Sequence, residues 1–367
     1  MNERSPNRSI RDQLVLLPPN RVWRSYTGGA CLDRIAQQSD PCDTHFPEDW
    51  IGSITAAVSP GREGHHEGVS SVAVGGTTHD FSALLAADPD YFLGAAHVAR
   101  HGVSPMLLIK FLDPAIRLHF QCHPSREFAQ RVLGSPSGKT EAYHILDVRP
   151  DVPEPFIYVG FQRPPDPTDL KRWIETQDIA SFESCFDRIP VKPGDTFLIP
   201  GGVPHALGPG VFMVEIQEPT DFVARYEFER GGYVLPEAAR FMGRDVEFGV
   251  SLIDFTARPL SAIEQHHRCH PGERRELGPG SWQETLIGSE LTPCFRVARS
   301  HLHERVTKTE SSFQIAIITA GSVEIRAHGH TYQLKTYDKF FCPAGMGPLE
   351  IIPHGSAEIL ECFPPAS

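Results

Sequence analysis

The segment 191-VKPGDTFLIPGGVPHALGPGVFMVEIQ-217 carries the pattern that decides the fold of this chain. Two apolar runs in it, DTFLIP and VFMVEIQ, are typical of buried β-strands, and a turn rich in glycine and proline separates them. A later segment, 334-LKTYDKFFCPAGMGPLEI-351, repeats the order of a turn, an aspartate, an aromatic strand and a Pro-x-Gly turn. This repetition predicts two copies of one jelly-roll unit. The second copy lacks a histidine where the first has His205, so only the first is expected to bind a metal.

Short strand-like runs fill most of the chain and alternate with turns, in a sequence that has 33 prolines and 31 glycines. This pattern is typical of all-β sandwiches and barrels. Helical patterns are few, and the clearest lie at about residues 80–96 and 166–188. The predicted fold class is therefore mainly β, with two jelly-roll β-barrels and a small helical segment. The polar stretch 261–280 is predicted as a linker or surface loop between a metal-binding domain, residues 1–260, and a C-terminal domain without metal ligands, residues 281–367.

The composition bounds the functional class. The chain has 367 residues, 40% of them hydrophobic and 22% charged, which is ordinary for a globular protein of two or three domains. A formal net charge of -12 argues against binding to nucleic acid, because phosphate contacts need a basic surface. No apolar run approaches the ~20 residues of a membrane helix, and the opening MNERSPNRSIRDQ lacks the apolar core of a secretory signal. The eight cysteines form no C-x-x-C pair, so reduced thiols in the cytoplasm are expected.

Four polar residues stand at strand-like positions where an apolar residue would be ordinary: Gln121, His123, Glu141 and His205. Gln121 and His123 are two apart, which on a strand places both side chains on one face. Glu141 begins the run EAYHILDV, and the glycines and proline before His205 allow a turn that aims its imidazole into a barrel mouth. Two imidazoles, a carboxylate and an amide oxygen suit a divalent cation such as Zn²⁺. The sequence therefore predicts a metal-dependent enzyme.

Further charged residues accompany this set. Lys139 lies two residues before Glu141 and is expected on the same face. Glu215 interrupts an apolar strand, which indicates a carboxylate that faces inward. Arg225 and Arg230 are candidates for binding an oxyanion or a phosphate, because a guanidinium donates paired hydrogen bonds. For Arg230, an ion pair with a neighbouring glutamate on the surface is the alternative.

These passages resemble the type I phosphomannose isomerases, a family with the cupin fold. The match lies in FLDPAIRLHFQCHP, GKTEAYHILD and KPGDTFLIPGGVPHALGPGVFMVEIQEPTDFVAR, with NRVWRSYTGGACL, PEDWIGS and GGTTHDFSALLAADPDYFLG nearer the N-terminus. It covers most of residues 15–230 and weakens towards the C-terminus. The resemblance implies tandem cupin barrels and one zinc ion per chain, held by Gln121, His123, Glu141 and His205.

The resemblance also implies which residues meet the substrate. Three match active-site positions of the family: Lys139, Glu215 and Arg225. Four are candidates for contacting the substrate, mainly at its phosphate: Lys110, Arg117, His119 and Arg230. His119 stands where the family has a small hydroxyl residue, so it is expected to alter the phosphate pocket. The large helical insert of longer family members is absent.

The implied reaction is the interconversion of mannose 6-phosphate and fructose 6-phosphate through an enediol, with zinc as a Lewis acid. The proton that moves between C2 and C1 requires a base, for which Glu215, Lys139 and a zinc-bound water are candidates. Two alternatives stay open: His119 favours an isomerase of a different or unphosphorylated sugar, and the degenerate second half favours a non-catalytic sugar-binding cupin. The expected partner is a small-molecule sugar phosphate. The chain is expected to be a monomer or weak homodimer, because two cupin halves can pair within it.

Overall fold

A computed structural model describes residues 10–59 and 61–366 of the chain. Its strands, in chain order, are β1 (Val15–Leu16), β2 (Arg21–Val22), β3 (Glu48–Ile51), β4 (Ser71–Val74), β5 (Thr77–Asp80), β6 (Leu108–Leu112), β7 (Gln121–Cys122), β8 (Glu141–Val148), β9 (Phe156–Val159), β10 (Ile189–Pro190), β11 (Thr196–Ile199), β12 (His205–Leu207), β13 (Val211–Gln217), β14 (Ala224–Arg225), β15 (Glu229–Arg230), β16 (Tyr233–Val234), β17 (Arg268–Cys269), β18 (Arg274–Gly278), β19 (Ser281–Ile287), β20 (Arg296–Leu302), β21 (Val306–Lys308), β22 (Gln314–Ala320), β23 (Ser322–Ala327), β24 (His330–Lys335), β25 (Lys339–Cys342), β26 (Leu349–Pro353) and β27 (Ala357–Phe363).

The helices are short. In chain order they are α1 (Ala30–Ile35), α2 (Phe81–Ala87), α3 (Pro89–Leu93), α4 (Ala95–His101), α5 (Arg126–Phe128), α6 (Pro167–Thr176), α7 (Ile179–Glu183), α8 (Val246–Ser251) and α9 (Leu260–His266). Single 3₁₀ turns lie at Glu63–His65, Glu237–Ala239 and Ala344–Met346, and a π turn lies at Ala129–Leu133. Asp166 caps the N-terminus of helix α6, because its side chain accepts a hydrogen bond from the amide of Thr168. Pro167 occupies the first turn of the helix, where a missing N–H costs nothing.

Two seven-stranded antiparallel sheets form the frame of the molecule and have the same strand order. One runs β2-β3-β6-β13-β8-β11-β17 and the other runs β18-β19-β20-β27-β22-β25-β1. Each is paired with a smaller sheet, β14-β7-β12-β9-β10 in the first half and β21-β26-β23-β24 in the second. Buried side chains from the large and the small sheet share one core within each half. The predicted mainly β fold of two related units is confirmed.

Each large sheet takes its last strand from outside its own half. Strand β1, near the N-terminus, pairs with β25 in the second sheet, with Val15 opposite Phe341. Strand β17, which follows the first barrel, pairs with β11 in the first sheet. The prediction of a linker or surface loop at 261–280 is therefore wrong in part. The stretch contains most of α9 together with β17 and β18. Two-residue edge strands with polar side chains have no apolar periodicity that would reveal them. The division at residues 260 and 281 stays a prediction.

A third core joins the two halves. It contains side chains of the first sheet, such as Val214, and of the second, such as Ile315 and Phe341. Helices α2 and α3 pack onto the same surface, where the ring of Phe81 lies 5.3 Å from that of Phe341. Burial of this apolar area from water is the main force that holds the halves together. Within residues 10–59 and 61–366, no helix is long and apolar enough to cross a membrane.

Candidate metal centre and adjoining pocket

The four predicted ligands meet at one end of the first barrel. Gln121 lies on β7 opposite His205, the first residue of β12. Glu141 opens β8 opposite Ile199, the last residue of β11. The turn between β11 and β12 passes close to the end of β7, and a Cβ at Gly201 would lie 2.5 Å from the carbonyl oxygen of Pro124. Only glycine allows this approach, which brings His205 towards the other ligands.

The side chains of His123, Glu141 and His205 are buried and converge on one point. Nε2 of His123 lies 3.1 Å from Oε1 of Glu141, and Nε2 of His205 lies 3.4 Å from Oε2. The candidate ligand atoms of the three residues all lie within 4.8 Å of one another. The amide nitrogen of Gln121 is 3.2 Å from Nε2 of His205, so this half-buried side chain reaches the same point.

The hydrogen bonds around the two imidazoles fit a metal ion. Nδ1 of His123 lies 2.7 Å from the carbonyl oxygen of Phe222, and Nδ1 of His205 lies 2.8 Å from that of Val203. A carbonyl can only accept, so each Nδ1 carries the proton and each Nε2 lone pair faces Glu141. Burial also lowers the pKa of His123 to about 3, which keeps its imidazole neutral. Lone pairs and a carboxylate that face one another suit a divalent cation.

Lys139 and Tyr143 complete the surroundings of Glu141. The ammonium of Lys139 is 2.8 Å from Oε1 of Glu141 and 3.3 Å from Nε2 of His123. The hydroxyl of Tyr143 donates to Oε2 of Glu141 at 3.0 Å. Burial opposes ionisation of Glu141, but the ammonium of Lys139 helps to hold its pKa well below its ordinary value. The carboxylate is therefore charged at neutral pH.

A narrow charged pocket adjoins this cluster and includes six of the predicted residues: Lys110, His119, Gln121, Lys139, Glu215 and Arg225. Lys110 and Glu215 are opposite each other on β6 and β13, and their charged atoms are 2.7 Å apart. Burial and the charge of Glu141 raise the pKa of Glu215. The pocket thus contains a buried carboxylate that is more basic than an ordinary one.

Arg225 presents a guanidinium that is not neutralised by a carboxylate. It lies on β14 opposite Gln121, beside the metal ligands, and lines the pocket. One of its nitrogens donates to the carbonyl oxygen of Ala239 at 2.8 Å, and Arg225 forms no ion pair within the part of the chain that the structure describes. Burial lowers the pKa of Arg225 to about 10, which still leaves it charged at neutral pH.

Sequence reasoning missed several residues of the pocket wall. Asp221 forms an ion pair with Arg24 at 3.3 Å, and Arg24, Glu48 and Tyr26 form a connected group. Nε of Arg24 lies 2.9 Å from Oε2 of Glu48, and the hydroxyl of Tyr26 donates to Oε1 at 2.7 Å. Strand β3 carries Glu48 to this position because it pairs with β6, which contains Lys110. The passages VWRSYTGG and PEDWIGS contain Arg24, Tyr26 and Glu48, but nothing in their local pattern indicates a site.

Arg117 and Arg230 do not line the pocket. Both form ion pairs with Glu227, Arg117 at 2.9 Å and Arg230 at 3.0 Å. The carbonyl oxygen of Glu227 accepts from Nδ1 of His119 at 2.8 Å. His119 itself lines the pocket, where its Nε2 is 3.2 Å from the hydroxyl of Ser25 and burial lowers its pKa to about 3. The carboxylate of Glu227 therefore engages the charges of Arg117 and Arg230. The carbonyl of the same residue orients His119.

Fold and site together define a two-barrel β-protein with a candidate divalent-metal centre beside a charged pocket. No protein-family model matches the chain. It is 25% identical over 260 residues to the probable mannose-6-phosphate isomerase GmuF of Bacillus subtilis, over 70% of this chain and 75% of the relative. It is 24% identical over 258 residues to mannose-6-phosphate isomerase ManA of the same organism, over 69% of this chain and 73% of the relative.

A solved structure shares the fold along almost the whole chain. The crystal structure of the mannose 6-phosphate isomerase from Bacillus subtilis matches with a TM-score of 0.71 at 20% identity, over 95% of this chain and 99% of that one. The resemblance to type I phosphomannose isomerases that the sequence motifs predict is confirmed, and so is the tandem cupin fold.

Replacing a candidate ligand should weaken metal binding. We expect His123→Ala and His205→Ala each to lower the affinity for Zn²⁺ by more than about tenfold, because each removes one imidazole from the cluster. Competition with a chromophoric chelator measures this affinity directly. His144→Gln is the matched control, since His144 is equally buried on β8 but bonds to Thr196. Equal affinities for the control and the two ligand variants would contradict the assignment.

Proposed function

We propose that this protein is a metal-dependent aldose–ketose isomerase that interconverts mannose 6-phosphate and fructose 6-phosphate through an enediol. The observation that carries the proposal is the buried His123, Glu141 and His205 cluster beside a pocket that holds Glu215 and Arg225. Metal ligands, a basic carboxylate and an unpaired cation are the groups that such a proton transfer requires. The relatives and the solved structure named above support the choice of substrate.

We propose Gln121, His123, Glu141 and His205 as the residues that hold one Zn²⁺ per chain. The ion, when bound, supplies Lewis-acid chemistry that polarises sugar oxygens and stabilises negative charge on them. Lys139 holds the carboxylate of Glu141 and faces the pocket. It therefore fixes a ligand and offers a cation to the substrate at the same time.

Among the candidate bases we assign the proton transfer to Glu215. Its carboxylate accepts the proton from C2 of the aldose and returns it to C1, while the hydroxyl proton of O2 passes to O1, and together the two transfers give the ketose. The raised pKa of Glu215 makes it a stronger base than an exposed glutamate, and efficiency rises as the pKa of a base approaches the working pH. Lys110 holds this carboxylate at 2.7 Å and fixes its direction.

Arg225 stabilises the negative charge that develops on the enediolate oxygens. Because its guanidinium has no carboxylate partner, the pocket retains a positive charge available to the substrate. Lys110 and His119 contribute to the phosphate end of the pocket. Arg117 and Arg230 act through Glu227, whose carbonyl orients His119. They are positioning residues rather than direct phosphate ligands.

One observation favours a second candidate, an isomerase of a different or unphosphorylated sugar. His119 lines the pocket with its Nε2 3.2 Å from the hydroxyl of Ser25, and its imidazole fills space that a small hydroxyl residue would leave for a phosphate. We further propose that the enzyme works in the cytoplasm as a monomer or weak homodimer. All eight cysteines lie in the described residues and are free, which agrees with a reducing compartment.

An isomerase assay tests the proposed function. Zinc-loaded protein should interconvert mannose 6-phosphate and fructose 6-phosphate, lose activity on chelation and regain it when zinc is restored. Full activity of the double variant His123→Ala/His205→Ala would contradict the proposal. A panel of phosphorylated and unphosphorylated aldoses separates the two candidates, because the second predicts a higher kcat/KM for a sugar other than mannose 6-phosphate.

Removing the proposed base should abolish turnover without removing the metal. We expect Glu215→Gln to lower kcat by about 10²–10⁴-fold, the usual contribution of a positioned base. Zinc content should stay unchanged, because Glu215 is not a proposed ligand. The control Glu229→Gln changes an exposed glutamate on β15 and should retain activity. A Glu215→Gln variant within tenfold of the unchanged protein would assign the proton transfer to another group.

The pH dependence should report the same carboxylate. Burial and Glu141 raise the pKa of Glu215 above its ordinary 4.5, and Lys110 lowers it. The base acts only when deprotonated, so kcat/KM should fall as the pH drops through this raised pKa. Removing the ammonium in Lys110→Met should move this acid limb to higher pH, whereas Lys110→Arg should move it less. An acid limb at the same pH in both variants would exclude Glu215 as its source.

A further inference from the structure

The second barrel has an open cavity over strands β18, β19 and β20, the counterparts of β2, β3 and β6 in the first barrel. The identical strand order makes the two halves comparable residue by residue. In the first, Ile199 at the end of β11 is opposite Glu141, and in the second, Cys342 at the end of β25 is opposite Gln314. The shared D-x-F-x-x-P pattern aligns Ile199 with Cys342, so Gln314 stands at the position of Glu141. The same alignment puts Pro348 at the position of His205.

The carboxylate of the first pocket has a counterpart. In the first barrel, Glu215 is opposite Tyr143, and Tyr143 lies two residues after Glu141 on β8. In the second, Glu361 is opposite Ala316, and Ala316 lies two residues after Gln314 on β22. Glu361 is therefore equivalent to Glu215. The second barrel has lost the metal ligands but keeps this buried acid.

Glu361 belongs to a buried polar network. It forms an ion pair with Lys308, accepts from the hydroxyl of Ser300 at 2.6 Å, and accepts from the amide of Gln283 at 2.6 Å. Lys308 and Glu361 are 4% and 2% exposed, so both charges are removed from water. Replacing such a pair by apolar residues is often neutral or stabilising. Neither charge lines the cavity, but the pair holds two residues that do, because Glu361 bonds to Gln283 and Lys308 contacts Glu310.

The cavity above this network has the size and lining of a sugar site. Its volume is about 540 Å³, within the ~300–1,000 Å³ of small-molecule pockets. Gln283, Thr285 and Glu310 line it and offer donors and acceptors to hydroxyl groups. The first two belong to β19 and their side chains point to the same face as the network, because Gln283 bonds to Glu361. Glu310 links the cavity to the same network through its contact with Lys308 at 3.4 Å.

Arg296 gives the cavity a cation with free hydrogen-bonding capacity. Its Nε donates to the carbonyl oxygen of Pro364 at 3.3 Å, and its guanidinium lies 5.2 Å from the ring of Phe363. Among the described residues no carboxylate forms an ion pair with it, whereas Arg275 at the rim is paired with Glu310. A guanidinium fixed in this way recognises an anionic group such as a phosphate.

We propose that the second barrel contains a non-catalytic binding site for a sugar monophosphate. The hydroxyl groups of the sugar bond to Gln283, Thr285 and Glu310, and the phosphate meets Arg296. The site lacks counterparts of Glu141 and His205, so it binds its ligand without isomerising it. This inference does not depend on the isomerase activity proposed for the first barrel, because a separate set of residues carries it.

Binding stoichiometry tests the proposal in the zinc-loaded full chain. In the Glu215→Gln background, which prevents turnover, calorimetric titration with mannose 6-phosphate should give two sites per chain. Arg296→Gln should weaken one of them by at least tenfold, and Ala298→Phe, which fills the cavity from β20, should remove it. The matched control Arg326→Gln changes an arginine on β23 outside the cavity and should leave both sites. A titration with no site that Arg296→Gln weakens more than Arg326→Gln does would overturn the proposal, whether or not the first barrel binds the ligand.

Two further titrants, mannose and inorganic phosphate, define the ligand of the second site. Mannose and inorganic phosphate should each bind the second site at least tenfold more weakly than mannose 6-phosphate. Equal affinity for phosphate would overturn the assignment to a sugar, and equal affinity for mannose would overturn the assignment to an anion. If Ala298→Phe does not fold, Arg296→Gln with its control decides alone. If the unsubstituted zinc-loaded protein has no isomerase activity although the titration gives two sites, that result counts against the function proposed for the first barrel and leaves the second site standing.

Discussion

The charge on Glu141, a carboxylate with no contact to solvent, is the constraint on which the first barrel depends. An ionised carboxylate in a protein interior costs several kcal/mol unless cations and hydrogen-bond donors surround it. Lys139 and Tyr143 supply part of this compensation, and both lie within two residues of Glu141. A cation held by Glu141, His123 and His205, as proposed above, would supply the remainder. Strands β7, β8 and β12 must therefore meet at one end of the barrel, and the glycine turn before His205 makes that meeting possible.

The pocket beside the cluster obeys a related rule, because Glu48, Glu215 and Asp221 each form an ion pair with a cation, and among the described cations of the pocket Arg225 alone forms none. Glu48 accepts from Arg24 and Glu215 accepts from Lys110, while Arg225 lies beside them without an acid of its own. A substrate that carries or develops negative charge completes this arrangement. The positive charge is local, since the chain as a whole carries a formal net charge of -12.

Local patterns were enough to predict the fold class and the residues that converge at the candidate metal centre, because both depend on short-range spacing. A two-residue interval sets Gln121 and His123 on one side of β7, and the same interval relates Lys139 to Glu141. Glu48 escaped prediction because only its long-range pairing with β6 brings it to the pocket. For Arg230 the sequence left two partners open, a phosphate and a neighbouring glutamate, and the structure pairs it with Glu227. A guanidinium binds a phosphate and a carboxylate with the same geometry, so sequence alone does not tell whether the partner is substrate or Glu227.

The position of β1 has a consequence for how the chain is made. Strand β1 is synthesised before the whole of the first barrel, whereas its partner, β25, follows that barrel. Val15, fully buried in the finished molecule, has no place to pack until Phe341 has been synthesised. The second sheet therefore closes only after β25 has been made, through a pairing of very high sequence separation, which slows folding. Until then the apolar side chain of Val15 is exposed, the condition under which incomplete chains form wrong contacts.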